Sequence, residues 1–258
     1  MGRGRRMNKK GFTLLELLAV FFCMMLLVSL LLPALRQAKA QGQSVLCLSK
    51  LRQCSVAAAA YTSCYDGFYP MAYQSSVCAD WSRIQTIAWD FITTQQWEGG
   101  QRMLSYEPGI LWQSGDLMEI QQCPAFRGTS NAGGEPFTGY NYNTSYIGHG
   151  SGESIPEPAK CSQVRNPAQT ALFGDGEYGE GANKFMRAPW ANPGDLSFSG
   201  RYAGTQGFRH RQKTNTAFCD GHVDTLKECF TETYPEDKAM IAEGTGFLSP
   251  DNRLYDLR

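Results

Sequence analysis

The sequence predicts an α+β fold in which a long N-terminal helix packs on a single body built around an antiparallel sheet. Residues 17–35 form an apolar run that contains no charged side chain. A helical stripe of small and apolar side chains continues this run to about residue 65. Downstream of residue 100, short apolar segments alternate with Gly, Pro, Asn and Asp, which is typical of strands and loops. The predicted divisions are a leader over 1–11, a helix over 12–66 and a body over 67–258.

Composition and charge exclude several classes of protein. The chain has 258 residues, of which 42% are hydrophobic and 12% aromatic, so it can bury a sizeable core and is neither collagen-like nor disordered. Its 24 basic residues balance 24 acidic ones, but five basic residues and no acidic one lie within residues 1–11. The remaining 19 basic and 24 acidic residues leave a net charge of −5. Because such a body has no basic field, we expect no nucleic-acid partner.

The apolar run is long enough to cross a membrane. Nineteen residues at about 1.5 Å each span roughly 28 Å, close to the hydrocarbon thickness of a bilayer. We therefore predict a single membrane span over about 12–35. The basic leader before it predicts that the N-terminus is cytoplasmic and that the body lies outside.

Three interpretations of this segment compete. A cleaved secretory signal could end at Ala38-Lys39-Ala40, but its apolar stretch would be about 7–15 residues, shorter than the run seen here. A plain membrane anchor explains the length and leaves Glu16 without a partner. An ionised carboxylate costs about 2.5–3.5 kcal/mol at the centre of a membrane helix and less near its end. The third interpretation supplies a partner.

Residues 9–16, Lys-Lys-Gly-Phe-Thr-Leu-Leu-Glu, resemble the class III signal of type IV prepilins and type II secretion pseudopilins. In that family a membrane peptidase cuts after the glycine, here Gly11, and methylates the new terminal residue, here Phe12. The resemblance implies that Glu16 pairs with the N-terminal amine of a neighbouring subunit during assembly. Such an ion pair would offset the cost of burying the carboxylate.

The helical pattern extends beyond the membrane span. Its apolar stripe consists of Cys47, Leu51, Cys54, Ala58 and Tyr61, at alternating steps of four and three. We expect this face to pack against the body, Pro33 to bend the helix and Asp66-Gly67 to end it. A second amphipathic helix is predicted over 80–96, closed by Gly99-Gly100. Its apolar residues at helical spacing are Ile84, Ile87, Ala88, Phe91 and Ile92.

A β-hairpin is predicted over 215–226. The dipeptide Asp220-Gly221 lies between two short apolar segments and favours a two-residue type I′ turn. In that register Cys219 would face His222, and Phe218 would face Val223.

The same segment carries a second resemblance. Residues 208–223 are similar to the signature of a large prepilin-like family that is described as processing-associated and named for its H-x9-DG motif. The motif here is His210 followed by Asp220-Gly221 (210–221). Smaller fragments agree with the same family, among them Cys123-Pro124 and residues 139–141. The family's biochemical role is poorly defined, so this resemblance implies topology more than mechanism.

This segment and two aspartates outside it also offer side chains suited to catalysis or metal binding. The candidate ligands are His210, His222, Asp175, Asp220 and Asp224. They lack a metal-ligand spacing such as His-Glu-x-x-His, and an oxygen-only calcium site would not use the histidines. We therefore interpret the H-x9-DG residues as structural and predict no catalytic residue and no cofactor. The alternatives are Ca²⁺ on the three aspartates, as in some pseudopilins, and a transition-metal or catalytic site.

Eight cysteines outside the apolar run suit disulfides in an exported body. They are Cys47, Cys54, Cys64, Cys78, Cys123, Cys161, Cys219 and Cys229. Cys47 and Cys54 lie seven residues apart, about 10.5 Å along a helix, which is too far for a bridge between them. We hypothesise that one of them bridges to Cys123 and fastens the helix to the body. Buried free thiols are the alternative.

Taken together, these resemblances imply a pilin-like structural subunit and not an enzyme. It would be a substrate of the prepilin peptidase and assemble with other pilin or pseudopilin subunits into a type IV pilus or a type II secretion pseudopilus. Its expected location is the inner membrane, in contact with lipid, with a periplasmic body that reaches the cell surface if a filament forms. The alternative is a membrane-tethered receptor for a glycan or cargo that does not polymerise.

Overall fold

The structure is a computed structural model that describes residues 13–78, 82–112, 118–130, 134–151, 155, 157–179, 181–192 and 200–258. The predicted processing residues Gly11 and Phe12 lie outside these residues. The chain divides into two compact units, residues 1–42 and 43–258, and each is described by itself.

Helix α1 spans Leu14–Cys64 and includes Pro33. Its end agrees with the sequence to within two residues, since Asp66 and Gly67 take φ angles of 50° and 78°. The Gly67 amide donates to the Thr62 carbonyl at 2.9 Å, which satisfies one of the carbonyls left open at the helix end.

The part of α1 in the first unit is apolar on all sides. Every leucine, valine, phenylalanine and methionine between residues 14 and 35 is exposed, with Leu14 86% exposed and Leu30 74% exposed. Among the described residues, α1 is the helix that is long and apolar enough to cross a membrane. A helix that is apolar all round needs lipid or other helices around it.

The part of α1 in the second unit is striped. Cys47, Leu51, Cys54 and Ala58 are fully buried, and Tyr61 packs partly against the same core. The predicted packing face is therefore confirmed.

The first sheet of the second unit is a four-stranded antiparallel meander in the order β1-β2-β3-β4. Its strands are β1 Tyr73–Val77, β2 Arg83–Ala88, β3 Phe91–Glu98 and β4 Gln101–Pro108. The helix predicted over 80–96 was therefore wrong. Its β-branched residues, such as Ile84, Thr86 and Thr93, favour a strand, and Gly99-Gly100 makes a hairpin turn with positive φ at both glycines.

The remaining strands are β5 Thr129–Ser130, β6 Asn141–Asn143, β7 Ala171–Gly174, β8 Gly181–Ala182, β9 Phe185–Met186, β10 Gln206–Gly207, β11 Thr214–Phe218, β12 Val223–Leu226 and β13 Thr245–Gly246. The central sheet has the order β12-β11-β7-β6-β9, with all neighbours antiparallel except the parallel pair β6 and β9. The other pairs are β10 with β13, antiparallel, and β5 with β8, parallel. The short helices are the 3-10 turns Ile110–Trp112, Met118–Gln121, Cys161–Gln163 and Arg201–Gly204, and α2 Pro235–Lys238.

The main core lies between the striped part of α1 and the central sheet. Trp89, Tyr142 and Phe173 are buried and in mutual ring contact, with centroids 5.1 to 5.8 Å apart. Leu51 and Ala58 of the helix belong to the same cluster. The sequence prediction of one α+β body with a pilin-like N-terminal helix is confirmed.

The predicted hairpin exists, but its register is shifted by one residue. Ala217 pairs with Val223, and Phe218 faces His222, with their rings stacked at 4.4 Å. The loop therefore holds Cys219, Asp220 and Gly221. Gly221 has a φ of 86°, whereas Asp220 is not among the residues with positive φ, so the turn cannot be type I′. A three-residue loop with a left-handed glycine fits both observations.

Candidate functional site

The N-terminal end of α1 is closed by a reciprocal cap. The Thr13 amide and hydroxyl both donate to Oε2 of Glu16 at 2.9 Å, and the Glu16 amide donates to the Thr13 hydroxyl at 3.2 Å. This arrangement is a capping box, which the Thr-x-x-Glu pattern encodes locally. The capping box was not predicted above, although its Thr-x-x-Glu pattern is readable from the sequence. Glu16 thus stabilises its own helix in addition to any role between subunits.

A second cluster lies inside the body, where four segments distant in sequence meet. It contains Cys47 of α1, Cys123 after the second 3-10 turn, Asp175 directly after β7, and His210 before β11. One ligand atom from each side chain lies within 4.8 Å of the others, and all four residues are buried.

The contacts within the cluster are short and polar. The Cys47 thiol donates to Oδ1 of Asp175 at 3.2 Å. Nε2 of His210 lies 3.5 Å from Sγ of Cys123 and 3.2 Å from Oδ2 of Asp175. Asp175 also accepts a bond from the Asn215 amide at 2.8 Å, so both of its oxygens are held.

Arg209 borders the cluster as a partly buried cation. Its Nε donates to Sγ of Cys123 at 3.3 Å, and its Nη2 donates to Oδ1 of Asp175 at 3.0 Å. Its Nη1 reaches Glu177 at 3.0 Å, and its guanidinium lies 5.2 Å from the ring centre of Phe126. The guanidinium therefore adds a permanent positive charge beside the carboxylates of Asp175 and Glu177.

These neighbours determine the protonation states. Burial alone would raise the pKa of Cys123, but the hydrogen bonds from Cys47 and His210 and the charge of Arg209 outweigh burial and lower that pKa to about 5. Burial opposes charge on His210 as well, yet Asp175 and Cys123 raise its pKa to about 9. Burial raises the pKa of Cys47. These directions favour a thiolate at Cys123, a charged imidazole at His210 and a protonated thiol at Cys47.

The helix positions the cysteine loop through polar contacts on one face. Gln43 donates to the Pro124 carbonyl at 2.9 Å, and Lys50 donates to the carbonyls of Glu119 and Gln122 at 2.9 and 3.0 Å. These helix residues flank Cys47 at i−4 and i+3, so they share its face. The loop that carries Cys123 is therefore fixed against the helix turn that carries Cys47.

Close backbone packing completes the enclosure. Gly139 has a φ of 117°, and a Cβ placed there would lie 2.9 Å from Cβ of Cys123. Arg211 and Gln212 directly follow His210, and both have positive φ, 58° and 61°. Two successive non-glycine residues in this region are strained, and such strain is concentrated at functional sites.

A thiolate, an imidazole and a carboxylate also form the nucleophile, base and orienting group of cysteine hydrolases. Here Cys123 is 0% exposed and His210 is 3% exposed. A substrate would have no access to the sulfur. The cluster is better suited to holding a small group such as an ion, or to a purely structural role, inside the body.

One family model matches the beginning of the chain. Residues 6–32 match the family described as the prokaryotic N-terminal methylation motif. The chain carries a prepilin-type N-terminal signal. No curated protein and no solved structure matches it. The signal and the long apolar helix support a membrane-anchored, type IV pilin-like protein.

The two ends of the H-x9-DG segment occupy different places in this pilin-like protein. His210 belongs to the buried cluster, whereas Asp220 and Gly221 form the hairpin loop. Oδ1 of Asp220 accepts bonds from the amide and ring of His222 at 3.0 and 2.5 Å, and the Gly221 carbonyl accepts a bond from Arg52 of the helix. The Asp220-Gly221 end therefore contacts α1 directly through Arg52, whereas His210 is related to α1 through the cluster that contains Cys47.

The three aspartates proposed for calcium are not gathered together. Asp175 is in the cluster with Arg209, Asp220 caps the hairpin loop, and the exposed Asp224 accepts a bond from the Thr225 amide. Across the described ranges, the cysteine–histidine cluster is the group of metal-ligating side chains that comes together. The sequence analysis named Asp175 and His210 but did not connect them with Cys47 and Cys123, because no local spacing links the four.

All nine cysteines of the pilin-like protein are free thiols in the structure. The predicted disulfides are not shown, and the sulfurs of Cys47 and Cys123 lie within 4.8 Å of each other. A bridge between these two stays a prediction. Cys54 is also fully buried, but it is outside the cluster, and burial raises its pKa to about 12.

Proposed function

We propose that this protein is a structural subunit that a prepilin peptidase processes after Gly11, and that assembles with other pilin or pseudopilin subunits into a type IV pilus or a type II secretion pseudopilus. The observation that carries the proposal is the methylation motif over residues 6–32 on a helix whose apolar side chains are exposed on every face. The proposed topology is a cytoplasmic leader, one inner-membrane span and a periplasmic body.

Lateral packing of the apolar helices is the physical basis of the proposed assembly. An apolar surface of this extent is unstable in water, and lipid alone or neighbouring helices can cover it. Among the described residues of the first unit before Arg36, Glu16 is the charged one. In an assembled filament its carboxylate would meet the N-terminal amine of the next subunit, which is an ion pair in low dielectric.

The same proposal assigns no catalytic role. The thiolate and imidazole that would serve a hydrolase are enclosed in the body. Hydrolysis of test esters or peptides by the purified protein, lost on His210→Ala, would contradict this assignment.

The decisive experiment separates the two functions of Glu16. Glu16→Gln keeps a side chain that can complete the capping box but removes the negative charge, whereas Glu16→Ala removes both. Thr13→Ala weakens the cap and leaves the charge, so it is the matched control. We expect all three to be cleaved normally, and both Glu16 variants to be lost from sheared filaments or cross-linked assemblies while Thr13→Ala is retained.

Two further outcomes would contradict the proposal. Full incorporation of Glu16→Gln would remove the ion pair as the basis of assembly and favour a tethered receptor that does not polymerise. Mass spectrometry of the membrane-bound protein should give an N-methylated Phe12 at the mature terminus. A terminus near Gln41 would instead indicate an ordinary secreted protein.

A further inference from the structure

We propose that Cys47, Cys123, Asp175 and His210 form a structural zinc site that fastens helix α1 to the body. The four residues supply two sulfurs, one carboxylate oxygen and one imidazole nitrogen within 4.8 Å of one another. Two cysteines, a histidine and a carboxylate are all established types of zinc ligand, and four protein ligands are typical of a structural site. The inference is independent of the assembly proposed above.

The distances are close to those around a tetrahedral zinc ion. With bonds of about 2.3 Å to sulfur and about 2.0–2.2 Å to nitrogen and oxygen, neighbouring ligand atoms would lie roughly 3.3–3.8 Å apart. Cys47 lies 3.2 Å from Oδ1 of Asp175, His210 lies 3.2 Å from Oδ2 of Asp175, and Cys123 lies 3.5 Å from His210. The ligand atoms of the remaining pairs lie within 4.8 Å, so shifts of up to about 1 Å would admit the ion.

Ligand chemistry favours zinc over the calcium considered from sequence. Calcium takes six to eight oxygen ligands, whereas this site offers one carboxylate and two sulfurs. Thiolate and imidazole ligands select zinc and related transition metals.

Zinc would offset most of the charge of its ligands. Two thiolates and one carboxylate carry three negative charges, against two positive charges on zinc, and Arg209, which also pairs with Glu177, lies beside the remaining charge. Binding would release the proton of the Cys47 thiol and the Nε2 proton of His210 to solvent. Arg209 would keep its bonds to Sγ of Cys123 and to Asp175, as a cation beyond the ligands that offsets the remaining charge.

The surroundings are built as an outer layer of support. The Asn215 amide holds Asp175, and the Asn215 side chain bonds Ser44 of the helix at 3.3 Å. Gln43 and Lys50 hold the Cys123 loop to the same helix. A bound ion would therefore connect α1, one loop and two strands of the central sheet at a single point.

The first test measures metal in the full-length chain, purified in detergent under reducing conditions without chelator. Elemental analysis should find about one zinc per chain in the wild type. Cys47→Ser and Cys123→Ser should each weaken zinc binding about tenfold or more, measured as the zinc retained in competition with a chelator, since even outer-layer changes commonly cost 10–100-fold in metal affinity. Cys54→Ser is the matched control, because Cys54 is equally buried on the same helix stripe and outside the cluster.

The second test uses only the wild-type protein, so it does not depend on whether a variant folds. Wild-type protein incubated with Co²⁺ should show the visible bands of a tetrahedral ion and a thiolate-to-cobalt charge-transfer band with the intensity expected for two sulfurs. Added Zn²⁺ should remove both signals.

Three outcomes would overturn the zinc site. One is a wild-type chain that takes up neither zinc nor cobalt under reducing conditions, and another is a cobalt spectrum without the two-thiolate band. The third is a Cys47–Cys123 disulfide, found by nonreducing peptide mapping of protein taken directly from cells. Because Glu16→Gln does not touch the cluster, that variant should keep its zinc whatever happens to assembly.

Discussion

Helix α1 is one continuous element with two different surfaces. Between Leu14 and Leu35 its large apolar side chains are exposed on every face, whereas beyond Gln43 one stripe is buried and the opposite face carries exposed residues such as Val56. The same helical backbone therefore suits two surroundings, lipid or neighbouring helices for the apolar part and a protein core for the striped part. Side-chain pattern alone decides whether a helical segment suits lipid and neighbouring helices or a protein core.

The largest expected effect is a core truncation in the striped part. Leu51→Ala should lower the free energy of unfolding of the body by about 2–5 kcal/mol, because it removes fully buried methyl groups and leaves a cavity. Leu31→Ala, in the apolar part, is the matched control and should change it by less than about 0.5 kcal/mol. Denaturant unfolding of the detergent-solubilised chain measures both. Equal losses would show that the two parts are not distinct.

An added charge should be costly in the apolar part of α1 and nearly neutral on the exposed face of its striped part. Leu27→Arg places a cation within the apolar part and should cost about 2.5–3.5 kcal/mol in apparent membrane-insertion free energy. Val56→Arg places the same cation on the exposed face of the striped part, where 58% of the side chain is accessible, and should be nearly neutral. Glycosylation-based insertion assays compare the two. Normal insertion of Leu27→Arg would contradict the membrane span.

The body buries charged side chains, whereas the apolar part of α1 excludes them. Lys184 lies 2.9 Å from Asp90 and also contacts Glu135, and all three are buried. Burial, followed by repulsion from Asp90, raises the pKa of Glu135 to about 6, above the unfolded value of 4.5. The folded state thus binds the proton of Glu135 more tightly than the unfolded state does. The stabilisation of the fold by this proton is therefore present below pH 4.5 and is lost as the pH rises through 6.

The measurable consequence is a difference between the wild type and Glu135→Gln. The free energy of unfolding of the wild type should fall, relative to the variant, by about 2 kcal/mol between pH 4 and pH 7. Denaturant melts across this range report the difference, in which the other titrating groups largely cancel. A difference that is constant with pH would mean that Glu135 titrates normally.

The smallest effect concerns the residue at which the two parts meet. Gly42 lies inside the helix, and a Cβ placed there would meet nothing within 4 Å. Gly42→Ala should therefore stabilise the local helix by about 0.5–1 kcal/mol, through the lower conformational entropy of the unfolded chain. Hydrogen exchange of the amides around residues 38–46 should slow accordingly. Gly221→Ala is the contrasting control, because its φ of 86° makes the same change destabilising.

Much of the helical architecture was readable from the sequence. The stripe from Cys47 to Ala58 and the helix end before Asp66-Gly67 follow from local periodicity and from the left-handed preference of glycine. The segment over 84–92 misled the same reasoning. Its apolar residues fit a helical spacing and a strand equally well, and the pairing of β2 with β3 and of β3 with β4 decided for the strand.

The hairpin also shows which features the sequence predicts and which ones tertiary contacts decide. Asp220-Gly221 predicted a turn between two strands, and a turn is there. Its loop length was decided by the interactions of the loop, among them the bond from Arg52 to the Gly221 carbonyl and the bond from the Asp220 amide to Pro167 at 3.1 Å. These partners lie far away in the sequence and leave no local pattern.

The sequence by itself determined the elements whose information is local: the prepilin-type signal, the apolar and striped parts of α1, its end, and the presence of a β-rich body. Only the tertiary structure decided the cluster of Cys47, Cys123, Asp175 and His210. Each of these residues is unremarkable within its own segment, and the chemistry arises when the packing of α1 on the central sheet brings four distant segments within reach of one another. Periodicity and turn preferences act over a few residues, whereas such a site depends on contacts that only the folded chain makes.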